Sequence, residues 1–130
     1  MQSAKFMELS IETLEELLKY LTTQEEAKLS SKLENLTSKR DNLEAIRNSL
    51  RTRLQRLEDS EPSREKREKM AEDFLIEINN TTEVIKHCDF LIVETVRNVK
   101  TLKKEVLQIE KDLLQIKNSL KLLFSNVLKD

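Results

Sequence analysis

The chain has no glycine, no tryptophan and a single proline, and only 4% of its residues are aromatic. Glycine supplies the positive φ angles that tight turns and compact sheet folds require. Its absence therefore argues against a fold built from strands and many turns. We expect an all-α protein with very few connections, and a helix content far above the roughly one third that is usual for soluble domains.

The chain also has only one cysteine and almost no net charge. The lone Cys88 cannot form an internal disulfide, which suits a reducing compartment. The 23 Lys and Arg residues nearly balance the 24 Asp and Glu residues, so the net charge of −1 gives no general attraction to DNA or anionic lipid. No apolar run approaches the roughly 20 residues of a membrane span, and the acidic N-terminal stretch does not resemble a signal or transit peptide. These features predict a cytoplasmic or nuclear protein without membrane insertion.

A heptad pattern, with apolar or small residues at alternating steps of four and three, dominates the second half of the chain. Such a strict period is typical of a long helix in a coiled coil. We expect this helix at about 64–128 and an elongated molecule around it. The seam positions are Phe74, Ile78, Thr81, Ile85, Cys88, Ile92, Thr95, Val99, Leu102, Val106, Ile109, Leu113, Ile116, Leu120, Leu123 and Val127.

The first half predicts two further helices, at about 3–22 and about 25–59. A break is expected between them because Thr22 and Thr23 each stand three residues before a glutamate, the spacing of a capping box. One bent continuous helix is the alternative. The first helix has its seam at Ala4, Met7, Ile11, Leu14, Leu18 and Leu21, flanked by Phe6, Leu9 and Leu17. The second has its seam at Leu29, Leu33, Leu36, Arg40, Leu43, Arg47, Leu50, Leu54 and Leu57.

A turn is predicted at 59–63, because Pro62 disfavours helix in the residue before it and Ser60 is suited to cap the next helix. The second and third helices would then form an antiparallel hairpin. In that register Arg40 and Arg47 lie near acidic residues of the third helix, such as Glu83 and Glu77. We interpret both arginines as residues that fix register and partner specificity.

The first helix has two possible positions. Apolar residues on the flanks of the seam between Leu75 and Val96 favour a helix that folds back over the hairpin. The acidic character of the first helix and the basic character of 97–121 favour a helix that runs alongside the C-terminal half of the third one. The sequence slightly favours folding back.

The sequence pattern does not bring catalytic or metal-binding side chains together at one site. His87, Cys88 and Asp89 are adjacent on one helical turn and point in different directions, whereas a zinc site needs three or four converging ligands. We therefore expect no enzyme, no metal or other cofactor and no small-molecule substrate.

The second helix is locally basic because it carries five arginines, namely Arg40, Arg47, Arg51, Arg53 and Arg56. The segment before it is acidic, so nucleic-acid binding is the less favoured hypothesis.

The function predicted from this pattern is assembly through helix packing. We expect a non-enzymatic coiled-coil subunit or scaffold of a protein complex, such as a tether or a cytoskeletal or kinetochore-like assembly. A small folding factor or chaperone regulator is the alternative. The partners would be other helical proteins or the chain itself, in a bundle of three or four helices. The predicted partner-binding residues are Leu102, Val106, Ile109, Leu113, Ile116, Leu120 and Leu123.

Overall fold

A computed structural model describes residues 2–129, with side chains described except at positions 2–4, 6, 7 and 127–129. The described part of the chain forms three helices, α1 (Gln2–Gln55), α2 (Leu57–Ser60) and α3 (Arg64–Lys129). Within residues 2–129 there is no strand. The predicted all-α class and the very long C-terminal helix are confirmed. The seam positions Ala4, Met7 and Val127 lie outside the described side chains.

Helix α1 passes without interruption through the segment where a break was expected. The hydroxyl of Thr23 donates a 2.8 Å hydrogen bond to the carbonyl of Lys19 one turn earlier, instead of capping a new helix. Threonine satisfies its hydroxyl in this way inside helices. The prediction of separate helices at 3–22 and 25–59 is therefore wrong. The helix continues because no glycine or proline lies nearby to end it.

The chain reverses slightly later than the sequence suggested. Arg56 separates α1 from the short helix α2, and Glu61 to Ser63 connect α2 to α3. Ser63 caps α3, since its Oγ accepts a 3.5 Å hydrogen bond from the backbone N–H of Lys66. The Glu61 carboxylate accepts a 3.3 Å hydrogen bond from the N–H of Ser63. The turn is thus close to its predicted place, but the cap is Ser63 rather than Ser60.

The chain divides into two compact units, of which unit 2 comprises 31–96. Unit 2 is an antiparallel hairpin whose interior follows the predicted heptad positions of both helices. Thr95, with 1% of its surface exposed, donates its hydroxyl to the carbonyl of Leu91. The other buried residues of this interior are Leu50, Leu57, Ile78, Ile85 and Cys88.

The register of this hairpin differs from the predicted one. Arg40 pairs with Asp89 instead of Glu83, and Arg47 contacts Thr82 instead of residues around Glu77. Each facing residue therefore lies five to six positions further along α3 than predicted. Helical structure continues to Ser60, past the predicted start of the turn at residue 59, and a later reversal gives the facing residues of α3 higher numbers.

Unit 1 comprises 1–30 and 97–130. Here the first part of α1 packs antiparallel against the last part of α3, because rising residue numbers on α1 meet falling numbers on α3. Ile11 is buried with 6% exposure, and Glu15 forms an ion pair with Lys117. The expectation that the first helical segment folds back over the hairpin is therefore wrong. The acidic and basic segments pair instead, as the alternative proposed.

Candidate interaction surface

The contact between the two helices of unit 1 is narrow. On α1 it follows Ile11, Glu15, Leu18 and Thr22, which are buried or half-buried, whereas Leu14 and Leu21 are exposed. On α3 the half-buried positions between 106 and 124 are Val106, Leu113, Lys117, Leu120 and Phe124. On both lines some seam positions are replaced by the residue that follows them, as Leu14 is by Glu15 and Ile116 by Lys117, because a helix with 3.6 residues per turn drifts by about 20° in each heptad unless it supercoils.

One edge of this helix pair is charged. Two grooves of about 270 Å³ and about 310 Å³ follow it between the helices. Lys117 lines both grooves, and its Nζ lies 3.5 Å from Oε1 of Glu15. The other charged side chains that line these grooves are Glu8, Lys19, Glu110 and Lys121.

The opposite edge is apolar. With about 100° between successive residues, Leu14 and Lys19 lie on opposite sides of the buried line of α1, and Ile109 and Leu114 lie on opposite sides of that of α3. Because the helices are antiparallel, and Lys19 and Leu114 line the same groove, Leu14 and Ile109 share the other edge. We call this surface the apolar edge. It consists of Leu14 (51% exposed), Leu17 (50%), Leu21 (55%), Ile109 (43%), Ile116 (50%) and Leu123 (57%).

The structure divides the seven predicted partner-binding residues into two groups. Leu102, Val106, Leu113 and Leu120 are half-buried. Ile109, Ile116 and Leu123 are exposed on the apolar edge. The role of these seven in partner binding stays a prediction.

The contribution of α1 to this edge differs from the sequence prediction. The heptad pattern places Leu14 and Leu21 in an interior seam and Leu17 on its flank, whereas the structure exposes all three. The signal was nevertheless present, because Glu15, Thr22 and Leu29 are spaced by seven residues in phase with Leu36, Leu43 and Leu50. Following that period through α1 without a break would have moved Leu14 and Leu21 off the interior line.

The two arginines predicted to fix register lie in unit 2. Arg40 donates through Nε to Asp89, and its Nη1 lies 3.3 Å from Oε2 of Glu44. The hydrogen bond to Asp89, together with the charge of that carboxylate, raises the pKa of Arg40 above its ordinary value. Arg47 is more enclosed, with 17% of its side chain exposed, and its buried Nε has no hydrogen-bond partner among the described residues.

Cys88, flanked by two other metal-type side chains, is buried in the interior of unit 2 with 3% exposure. Its neighbour Asp89 is occupied by Arg40, which removes the carboxylate from any shared site with His87. The described residues contain no cluster of three or more His, Cys, Asp or Glu side chains suited to hold a metal ion. In the same part of the chain, no helix combines the length and apolar character needed to cross a bilayer.

Comparison with known proteins gives no relative. No protein-family model matches the chain, and neither does any curated protein or solved structure.

Proposed function

We propose that this protein is a non-enzymatic coiled-coil subunit or scaffold that assembles with helical chains through the apolar edge of unit 1. The observation that carries the proposal is the exposure of six aliphatic side chains, each between 43% and 57%, along one edge of a helix pair. Isolated exposed leucines are ordinary, but a continuous apolar patch of several hundred Å² is typical of an interaction site.

The pattern of this edge also favours a helical partner. Its residues recur along α1 and α3 at the spacing of a helix face, with Leu14 and Leu21 seven residues apart and likewise Ile109 and Ile116. A partner helix of the same period can place its side chains between such rows along its whole length. The near-neutral charge and the single cysteine support a place in a complex of the cytoplasm or nucleus.

The experiment compares two matched double variants of the tagged full-length chain in cell extract. I109Q/I116Q makes the apolar edge polar, whereas L107Q/L114Q makes the same change at exposed positions on other sides of α3. Glutamine keeps a good helix propensity at all four positions. We expect the wild type and L107Q/L114Q to capture the same helical protein, this chain included, and I109Q/I116Q to lose it. Equal capture by all three proteins would contradict the proposal.

A further inference from the structure

Unit 1 has one charged edge and one apolar edge, and its two helical segments carry opposite net charges. Residues 2–30 contain six glutamates and three lysines, a net charge of −3. Residues 97–129 contain eight Lys and Arg residues and three Asp and Glu residues, a net charge of +5. A partner for the apolar edge should therefore place a basic helix beside the acidic segment and an acidic helix beside the basic one. A second copy of unit 1 provides both.

The apolar side chains of the two segments also lie at matching heights along the helix axes. Glu15 faces Lys117, so Leu14 is level with position 118 and Leu21 with position 111. Leu14 and Ile116, like Leu21 and Ile109, are therefore offset by two residues, or about 3 Å along the axis. A two-fold rotation about an axis parallel to the helices preserves these heights.

We propose that the apolar edge is covered by a second copy of this chain. Unit 1 of one copy and unit 1 of the other then form an antiparallel four-helix bundle. This inference rests on the proposed function and names the partner. Segment 2–30 of α1 lies beside segment 97–129 of α3 from the other copy, and all neighbouring helices are antiparallel. Leu14 packs against Ile116 of the partner subunit, and Leu21 packs against Ile109 of the partner subunit.

Charge distinguishes this arrangement from the other symmetric one. A two-fold axis perpendicular to the helices would place the acidic segments against each other and the basic segments against each other. The parallel axis instead alternates acidic and basic segments around the bundle. It also brings the exposed Lys28 near the height of Glu105 of the partner subunit, at the rim of the interface.

The area of the apolar edge is sufficient for such a dimer. Six aliphatic side chains that are about half exposed offer several hundred Å² on each copy, so two copies bury roughly 1,000 Å² from these residues alone. This is the lower bound of specific interfaces, and the polar rim adds to it.

The test is disulfide crosslinking between full-length chains that each carry one cysteine. In a C88A background, an L21C chain is mixed with an I109C chain, and an L14C chain with an I116C chain, under mild oxidation. The control mixes a K19C chain with an L114C chain, because both positions line the charged edge. Circular dichroism before oxidation confirms that every variant is folded.

We expect both apolar-edge mixtures to form the mixed disulfide-linked dimer, and the control mixture to form none. Disulfides form only when the two Cα atoms come within about 7 Å, so the link reports adjacency of α1 and α3 from different copies. Links between two L21C chains with no mixed product would overturn the parallel axis. Absence of any link would contradict the proposal that the partner is a second copy of this chain. In that case, capture of another helical protein through the apolar edge would still support the proposed function.

Discussion

Glu15 and Lys117 form an ion pair, with 3.5 Å between Oε1 and Nζ, across 102 positions of sequence. The pair lies between α1 and α3 within unit 1, and roughly a third of each side chain is exposed. It sets the height at which the acidic and basic segments meet. The apolar edge depends on this register, since the same pairing brings Leu14 level with the region of Ile116.

Charge reversal tests this register. We expect E15K or K117E alone to lower the free energy of unfolding by less than about 1 kcal/mol, because the pair is partly solvated. The double variant E15K/K117E should restore most of the loss, since it rebuilds the pair with the charges exchanged. The measurement is a double-mutant cycle by urea denaturation. Strictly additive effects would mean that the two side chains do not meet.

The continuity of α1 is tested by proline. E25P places proline inside the helix and should lower the free energy of unfolding by about 3 kcal/mol or more, because it removes a backbone hydrogen bond and clashes with the preceding turn. The matched control is R64P at the first residue of α3, where proline is tolerated. If E25P and R64P behaved alike in thermal and urea denaturation, residue 25 would lie outside a helix.

The helical class, the long C-terminal helix and the interior of the hairpin were predictable because one physical signal, the heptad spacing, controls them. Strict heptad spacing from Phe74 to Val106 placed the interior of α3 correctly, and Pro62 located the turn. The capping-box spacing at Thr22 and Thr23 led to the wrong prediction of a helix break. A threonine hydroxyl can donate a hydrogen bond to its own helix, as Thr23 does, as readily as it caps another helix. Propensity alone cannot choose between these two hydrogen bonds.

The candidate site was only half predictable. Ile109, Ile116 and Leu123 stood out in the sequence, but whether they faced α1 or solvent depended on a rotation of the helix by less than one residue. The contribution of Leu14 and Leu21 depended on the same rotation in α1. Periodicity identifies the apolar residues, whereas the packing of neighbouring helices decides which of them are covered.

The interior of unit 2 is tested at Leu50, which has 7% of its surface exposed. L50A should lower the free energy of unfolding by roughly 2 to 4 kcal/mol, through lost burial and a residual cavity. The control is I46A, since Ile46 lies on the same helix with 51% exposure. We expect I46A to cost clearly less in the same urea titration. A loss below about 0.5 kcal/mol for L50A would place this leucine at the surface.

Arg47 should contribute little or nothing to stability. Its enclosed side chain leaves Nε without a partner in the described part of the chain, so its desolvation is only partly compensated. We expect R47L to leave the free energy of unfolding unchanged or to raise it, as measured by urea denaturation. A loss of more than about 2 kcal/mol would indicate that the arginine is fully compensated by its contacts.

Sedimentation equilibrium of the purified full-length chain, over a range of concentrations, measures whether two copies associate. The wild type and L107Q/L114Q should each sediment at twice the chain mass of 15.3 kDa, and I109Q/I116Q should sediment at the chain mass itself. Circular dichroism should show the same helix content for all three. A monomeric wild type, or an I109Q/I116Q variant that remains dimeric, would contradict self-association through the apolar edge.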